Sequence, residues 1–169
     1  MKSIKLSFVL ISFVFVLFTS CTPGNDDFHI EKVNDIQKQY SEIDLEILNL
    51  VNDFRNSIDL NSLEKMNIIS SVAETHTDYM VQTGLVNHDF FLERQESLMK
   101  SVQAISVAEN VAYGYKTAQD VVNAWLKSDL HREVIENPRF THFGISSEKN
   151  SPLANRAGVP AVSCPRIVA

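Results

Sequence analysis

Ala108-Glu109-Asn110-Val111-Ala112-Tyr113-Gly114 is a short apolar run with one acid in it, and Ala124-Trp125-Leu126-Lys127-Ser128-Asp129-Leu130-His131-Arg132 carries a tryptophan, a serine and a histidine at intervals of three. A carboxylate in a setting as apolar as Ile105 to Tyr113 has to be paired, hydrogen-bonded, protonated or bound to a cation. The ordinary answer is a salt bridge to a basic residue such as Lys100, Lys116 or Arg132. The functional alternative is that Glu109 meets His88 and His131, which lie too far along the chain for a local metal motif and would need the tertiary fold to bring them in. Both histidines fall just past a predicted helix end, beside acids and apolar residues, where sites usually lie. His76, by contrast, sits within a helical stripe and reads as a core or edge histidine with one satisfied nitrogen. His29 reads as solvated, and His142 as an edge-strand residue facing water. The spacing of Trp125, Ser128 and His131 places them along one helix face while that helix lasts.

Working outward, the segments on both sides are helical. Ser41-Glu42-Ile43-Asp44 has capping-box spacing with Asp in place of Glu. Leu45, Leu48, Val51 and Phe54 follow at helical intervals, with Ile47 widening the stripe. A polar joint at Asp59-Leu60-Asn61-Ser62 precedes a second helix from Leu63 to Thr83, with Ile68, Ile69, Val72, His76 and Met80 inward and Gly84 as its C-cap. Leu92 to Lys100 suits a short helix, and Val107 to Tyr113 a buried strand or extended turn. Thr117 caps a strong helix with Val121, Val122 and Trp125 inward. Leu130 to Glu136 adds one or two turns before Asn137-Pro138 stops them. His142 to Ser147 alternates as a strand. Helices at both ends of a few short strands give a mixed α/β layered fold.

The N-terminus has another purpose. Lys2 and Lys5 precede an apolar run that exits through Phe18-Thr19-Ser20 to Cys21. This is a secretory signal of the lipoprotein type over residues 1–20, with Cys21 as the acylated residue and an extracytoplasmic, membrane-tethered domain as the consequence. Leu6 to Phe18 is too short for a spanning helix. With Cys21 acylated, Cys164 has no disulfide partner in the chain. Residues 21–40 read as a polar linker, opening with Pro23-Gly24-Asn25-Asp26-Asp27 after Thr22. Removing the signal takes Lys2 and Lys5 with it, so the formal charge of −6 becomes −8. An acidic chain with no basic cluster excludes nucleic acid as a partner. Five glycines leave little scope for a phosphate loop or a nucleophile elbow. What remains makes one domain and has no room for a second.

Taken together, Gly84-Leu85-Val86-Asn87-His88-Asp89-Phe90 with Glu93-Arg94, the Glu109-Asn110 run, the Trp125 to Arg132 segment, Ile135-Glu136-Asn137-Pro138 and Phe143-Gly144-Ile145 resemble the CAP superfamily of cysteine-rich secretory, antigen 5 and pathogenesis-related proteins. The order and spacing are most similar to its short bacterial branch. The resemblance runs over residues 41–147 of a domain taken as 41–169, and it implies a three-layer α-β-α sandwich with an open cleft, lined in many members by two histidines and two acids that can hold a divalent metal. Residue by residue, it places the histidines at His88 and His131 and the first acid at Glu109, followed by Asn110. Ala108 stands where the motif usually has Gly. The second acid falls on Ser128, which supplies a hydrogen bond and no charge, so the tetrad is reduced to a triad unless Asp129 or Glu133 compensates. Two imidazoles and a carboxylate are a ligand set for zinc, and a metal-bound water with pKa about 7 would hydrolyse an ester or peptide. Glu109, the candidate catalytic residue, would then serve either as ligand or as general base.

The resemblance also implies a closing central strand bearing aromatic residues. Residues 148–169 have none, and carry Pro152, Pro160 and Pro165 instead. Two readings follow: Val159 to Ile167 pairs for a few residues, or the sheet is incomplete. The function expected from all of this is an exported, lipid-anchored binding module for a small molecule or peptide, with a cleft that takes a divalent cation. A metal-dependent hydrolase at the cell surface and a purely structural surface domain are the alternatives.

Overall fold

The computed structural model describes residues 38–148 and the backbone of 165–168. The signal segment, Cys21, most of the linker, and residues 149–164 with Cys164 lie outside the described residues. Among the described residues, five helices and four strands follow in the order α1 (Glu42–Ser57), β1 (Glu64–Lys65), α2 (Asn67–Thr83), α3 (Phe91–Ser101), β2 (Val107–Glu109), α4 (Ala118–Lys127), α5 (Asp129–Glu136), β3 (His142–Ile145) and β4 (Pro165–Val168).

Local chemistry sets the helix ends. Ser41 Oγ accepts from Asp44 N–H at 3.2 Å and Asp44 Oδ2 accepts from Ser41 N–H at 3.0 Å, so the capping box forms with the shorter acid. The buried face of α1 is Ile43, Ile47, Leu48, Val51 and Arg55. It is turned from the expected stripe: Ile43 and Arg55 are buried and Leu45 is exposed. The second helix begins at Asn67 rather than Leu63, because Glu64 and Lys65 pair with β3 as a strand. Gly84 ends it with φ 72°, its N–H donating to Met80 O. Thr117 caps α4 by accepting from Asp120 N–H.

The sheet has the order β1-β3-β4-β2, with β1 parallel to β3 and β4 antiparallel to both of its neighbours. The sheet is therefore not left incomplete. The C-terminal segment supplies a strand after all, four residues long, and it is central. Pro165 takes the first position, opposite Ile145, where a missing N–H costs the ladder least. His142 lies on an interior strand and is partly buried, which corrects the edge reading.

The layers are helix, sheet, helix. On one side α1, α4 and α5 enclose Ile47, Val51, Val121, Trp125, Ile135, Phe143 and Ile145, each buried. Burying each such side chain contributes about 1.5–3 kcal/mol before entropy is counted. On the other side Ile69, Leu98, Ala104 and Val107 form a smaller core under α2 and α3. Gly144 marks the contact between layers: a Cβ there would lie 2.5 Å from Ile69 C and 2.6 Å from Ile69 Cβ, so only glycine lets α2 sit this close to β3.

Candidate functional site

The site is assembled from β2, the α2–α3 loop and the helices α2 to α5. Strand β2 ends in Glu109, whose side chain is 1% exposed. The next residue, Asn110, is buried and its Nδ2 donates to His131 O at 2.9 Å, tying the exit of β2 to α5. Trp125 Nε1 donates to Val111 O at 3.2 Å and holds the same segment from α4. The loop between α2 and α3 carries His88. It is braced by Asn87, which accepts from Asp89 N–H and donates to Asp89 Oδ2, and by Tyr79 Oη, which donates to the same oxygen at 3.0 Å. Phe90 takes the left-handed conformation, φ 58°, to start α3.

His88 Nδ1 stands 2.9 Å from Glu109 Oε1, so the expected meeting of these two residues occurs. The salt bridge that answers Glu109 is also present, but its partner is Arg94 of α3 and not Lys100, Lys116 or Arg132. Arg94 Nη2 lies 2.8 Å from Oε1 and 3.0 Å from Oε2, and Nε lies 3.2 Å from Oε2. Arg94 Nη1 donates to Asp89 O, in the loop that carries His88. The sequence signal for Arg94 was its place on a buried ridge of α3, four residues before Leu98.

His76 lies behind this pair. Its Nε2 is 2.8 Å from Asn87 O and 3.8 Å from Glu109 Oε1, while its Nδ1 is buried with no hydrogen-bond partner. One satisfied nitrogen is the expected core arrangement. Facing a carbonyl, Nε2 must carry the proton. Burial lowers the His76 pKa against the opposing pull of the Asn87 carbonyl and Glu109. His131 is likewise lowered, by burial first and by neighbouring His88 second.

Ser128 and His131 meet differently from the one-face expectation. The helix breaks at Ser128, which has extended backbone and caps the start of α5, and Ser128 Oγ lies 2.8 Å from His131 Nδ1. Asp129 and Glu133 do not join the site. They line an open groove of about 560 Å³ on α5 with Arg132, Glu136, Asn137 and Pro138.

Against this geometry the three-ligand zinc set does not fit as it stands. Both Glu109 oxygens bond to a guanidinium, and the two imidazoles left over fall short of the three or four protein ligands that a zinc centre uses. Among the described residues, no group of three or more His, Cys, Asp or Glu is placed to hold a metal ion.

The layered fold, with a histidine-carboxylate pair where the sheet meets the α2–α3 loop and a second histidine at the start of α5, defines a CAP-type domain. The model of the cysteine-rich secretory protein (CAP) family matches residues 48–162, and the chain belongs to that family. It is 46% identical over 50 residues to the uncharacterized protein YkwD of Bacillus subtilis, a match covering 28% of this chain and 20% of that one. It is 27% identical over 110 residues to the uncharacterized membrane protein YlbC of the same organism, covering 62% of this chain and 31% of the relative. The matches thus span a third or less of these relatives' length. Among solved structures, an outer surface protein from Borrelia burgdorferi is similar with TM-score 0.63 at 22% identity, covering 78% of this chain and 96% of that one. A cysteine-rich secretory protein from Staphylococcus aureus gives 0.63 at 14% identity, covering 78% and 40%. An extracellular SCP-domain protein from Bacillus anthracis gives 0.61 at 19%, covering 73% and 39%. At these identities the likeness carries the fold alone.

Proposed function

We propose that this chain is an exported, lipid-anchored CAP module that binds a polar small molecule or peptide at the face presented by His88 and His131, and does not turn a substrate over. The observation that carries the reading is the bidentate pairing of Glu109 with Arg94. A hydrolase would need Glu109 as general base or metal ligand, and a carboxylate 1% exposed with both oxygens bonded to a guanidinium serves neither role. What stays accessible is recognition chemistry. His88 is 53% exposed in its side chain. Its Nδ1–H donates to the Glu109 carboxylate, which leaves Nε2 as the ring nitrogen that a ligand can meet. Leu130, next to His131 in sequence, and Phe90, two residues after His88, are exposed and offer apolar surface on the segments that carry the histidines.

Lys2, Lys5, the apolar run and Cys21 support export and acylation, and so attachment to a membrane. The outer surface and extracellular relatives support a place in the cell envelope.

The test is a broad peptide and ester library presented to wild type, Glu109→Gln, His88→Ala and His131→Ala. No turnover is expected in any of them, with library members that shift the His88 and His131 ring resonances of wild type and lose affinity in the alanine variants. Turnover by wild type that vanishes in Glu109→Gln would overturn the reading in favour of a hydrolase. In cells fed labelled fatty acid, wild type takes up label and Cys21→Ser does not; label on the variant removes the anchor.

A further inference from the structure

We infer that Arg94 is the resident cation of this site and that it excludes a divalent metal from Glu109. The pair is built in. Glu109 is 1% exposed and Arg94 8% in their side chains, so neither charge is balanced by water, and each depends on the other. The guanidinium is held from two sides, by three contacts to the carboxylate and by Asp89 O of the His88 loop. It cannot swing aside without also releasing the backbone that carries His88. Oε1 receives Arg94 Nη2 at 2.8 Å and His88 Nδ1 at 2.9 Å, with His76 Nε2 at 3.8 Å. Any metal ion that bonded to Glu109 would sit in contact with a fixed positive charge. It would also strip His88 of the acceptor that sets its tautomer.

A carboxylate and two histidines that read as metal ligands therefore act as something else in this chain. Glu109 orients His88, and Arg94 orients Glu109. Arg94 is thus a positioning and specificity residue: it selects a ligand that hydrogen-bonds to His88 over one that needs Glu109. The exclusion of metal stands whether or not the ligand proposed above is found.

Zinc alone is the probe, titrated calorimetrically into full-length protein in detergent micelles, for wild type, Glu109→Gln, Arg94→Gln, Arg94→Met and the Arg94→Gln/Glu109→Gln double variant. Wild type and Glu109→Gln are expected to bind zinc alike. The Arg94 variants are expected to bind at least about tenfold tighter, the scale on which groups around a metal site act, and the gain should disappear in the double variant. Zinc affinity that falls about tenfold from wild type to Glu109→Gln overturns the inference, because Glu109 would then ligate with Arg94 in place. So do Arg94 variants that melt cooperatively and show no gain. If the variants misfold, the Arg94 Nε–H resonance of wild type decides: unmoved at saturating zinc it supports the inference, and shifted it overturns it. Metal-free turnover in the substrate library would defeat the binding-module reading and leave these titrations untouched.

Discussion

His76 shows how one side chain is read twice. Its position on the stripe of α2 predicted a core histidine, and it is buried, with Nε2 bonded to the Asn87 carbonyl and Nδ1 unpartnered. Burial lowers its pKa from the ordinary 6.5, so below that pH the unfolded chain binds more protons than the folded one. Stability is at its plateau above about 6.5 and is lost as the pH falls toward the folded-state value. His131, shifted the same way by burial, adds to the loss. Urea midpoints of wild type should therefore be lower at pH 5 than at pH 7, and His76→Gln should narrow the gap. A gap that is unchanged in the variant assigns the loss elsewhere. At this scale the sequence named Glu109, His88, His131, Asn110 and Ser128, and it supplied the requirement that Glu109 be answered. It did not name Arg94 as the answer, because the lysines and arginine considered were chosen by charge type, which does not say which basic residue reaches Glu109. The pairing depends on how α3 lies over β2.

Among the elements, α1 depends on a residue that no stripe would select. Arg55 is fully buried, and among the described residues it makes no ion pair with an acid. Its guanidinium donates to Ile135 O at 2.6 Å, Asn137 O at 3.0 Å, Asn61 O at 2.8 Å and Phe140 O at 3.3 Å. The first two acceptors close the C-terminal end of α5, where the helix dipole favours a cation. Arg55 thus joins α1, the loop after it, the end of α5 and the approach to β3. Arg55→Met keeps the stem volume and orphans these carbonyls. We expect a loss of about 3 kcal/mol or more in urea unfolding, with the slope unchanged; a loss below about 1 kcal/mol, the net worth of one ordinary hydrogen bond, would show that water replaces the guanidinium. Caps and helix identities were legible because they rest on contacts three or four residues apart. The rotation of α1 was not, and neither was the Ser128–His131 hydrogen bond formed across a helix end that the pattern had already placed near Ser128. Both are decided by what each helix packs against.

At the scale of the molecule, the sheet holds the two helical layers together and β4 holds the sheet together. Among the described strands, β2 pairs only with β4, so Glu109 reaches its place through a strand that comes from the far end of the chain. A chain ended after Lys149 loses the centre of the sheet. Its melting temperature should fall by more than about 8 °C, or cooperative folding should be lost, because β2 would have no partner. An equal melting temperature would mean that the strand adds nothing. The prolines and missing aromatics argued for an open sheet, yet four residues at the end suffice to fill its centre.

By itself the sequence determined that this is a layered α/β domain of the CAP type, with its helices, their caps and a histidine-acid set, because periodicity, capping and motif order are local and survive in one dimension. Only the tertiary structure decided the strand order, the buried pair of Glu109 and Arg94, and hence what the histidines are free to do. Burial and charge pairing are properties of neighbours in space, and in this chain the decisive neighbours come from different elements.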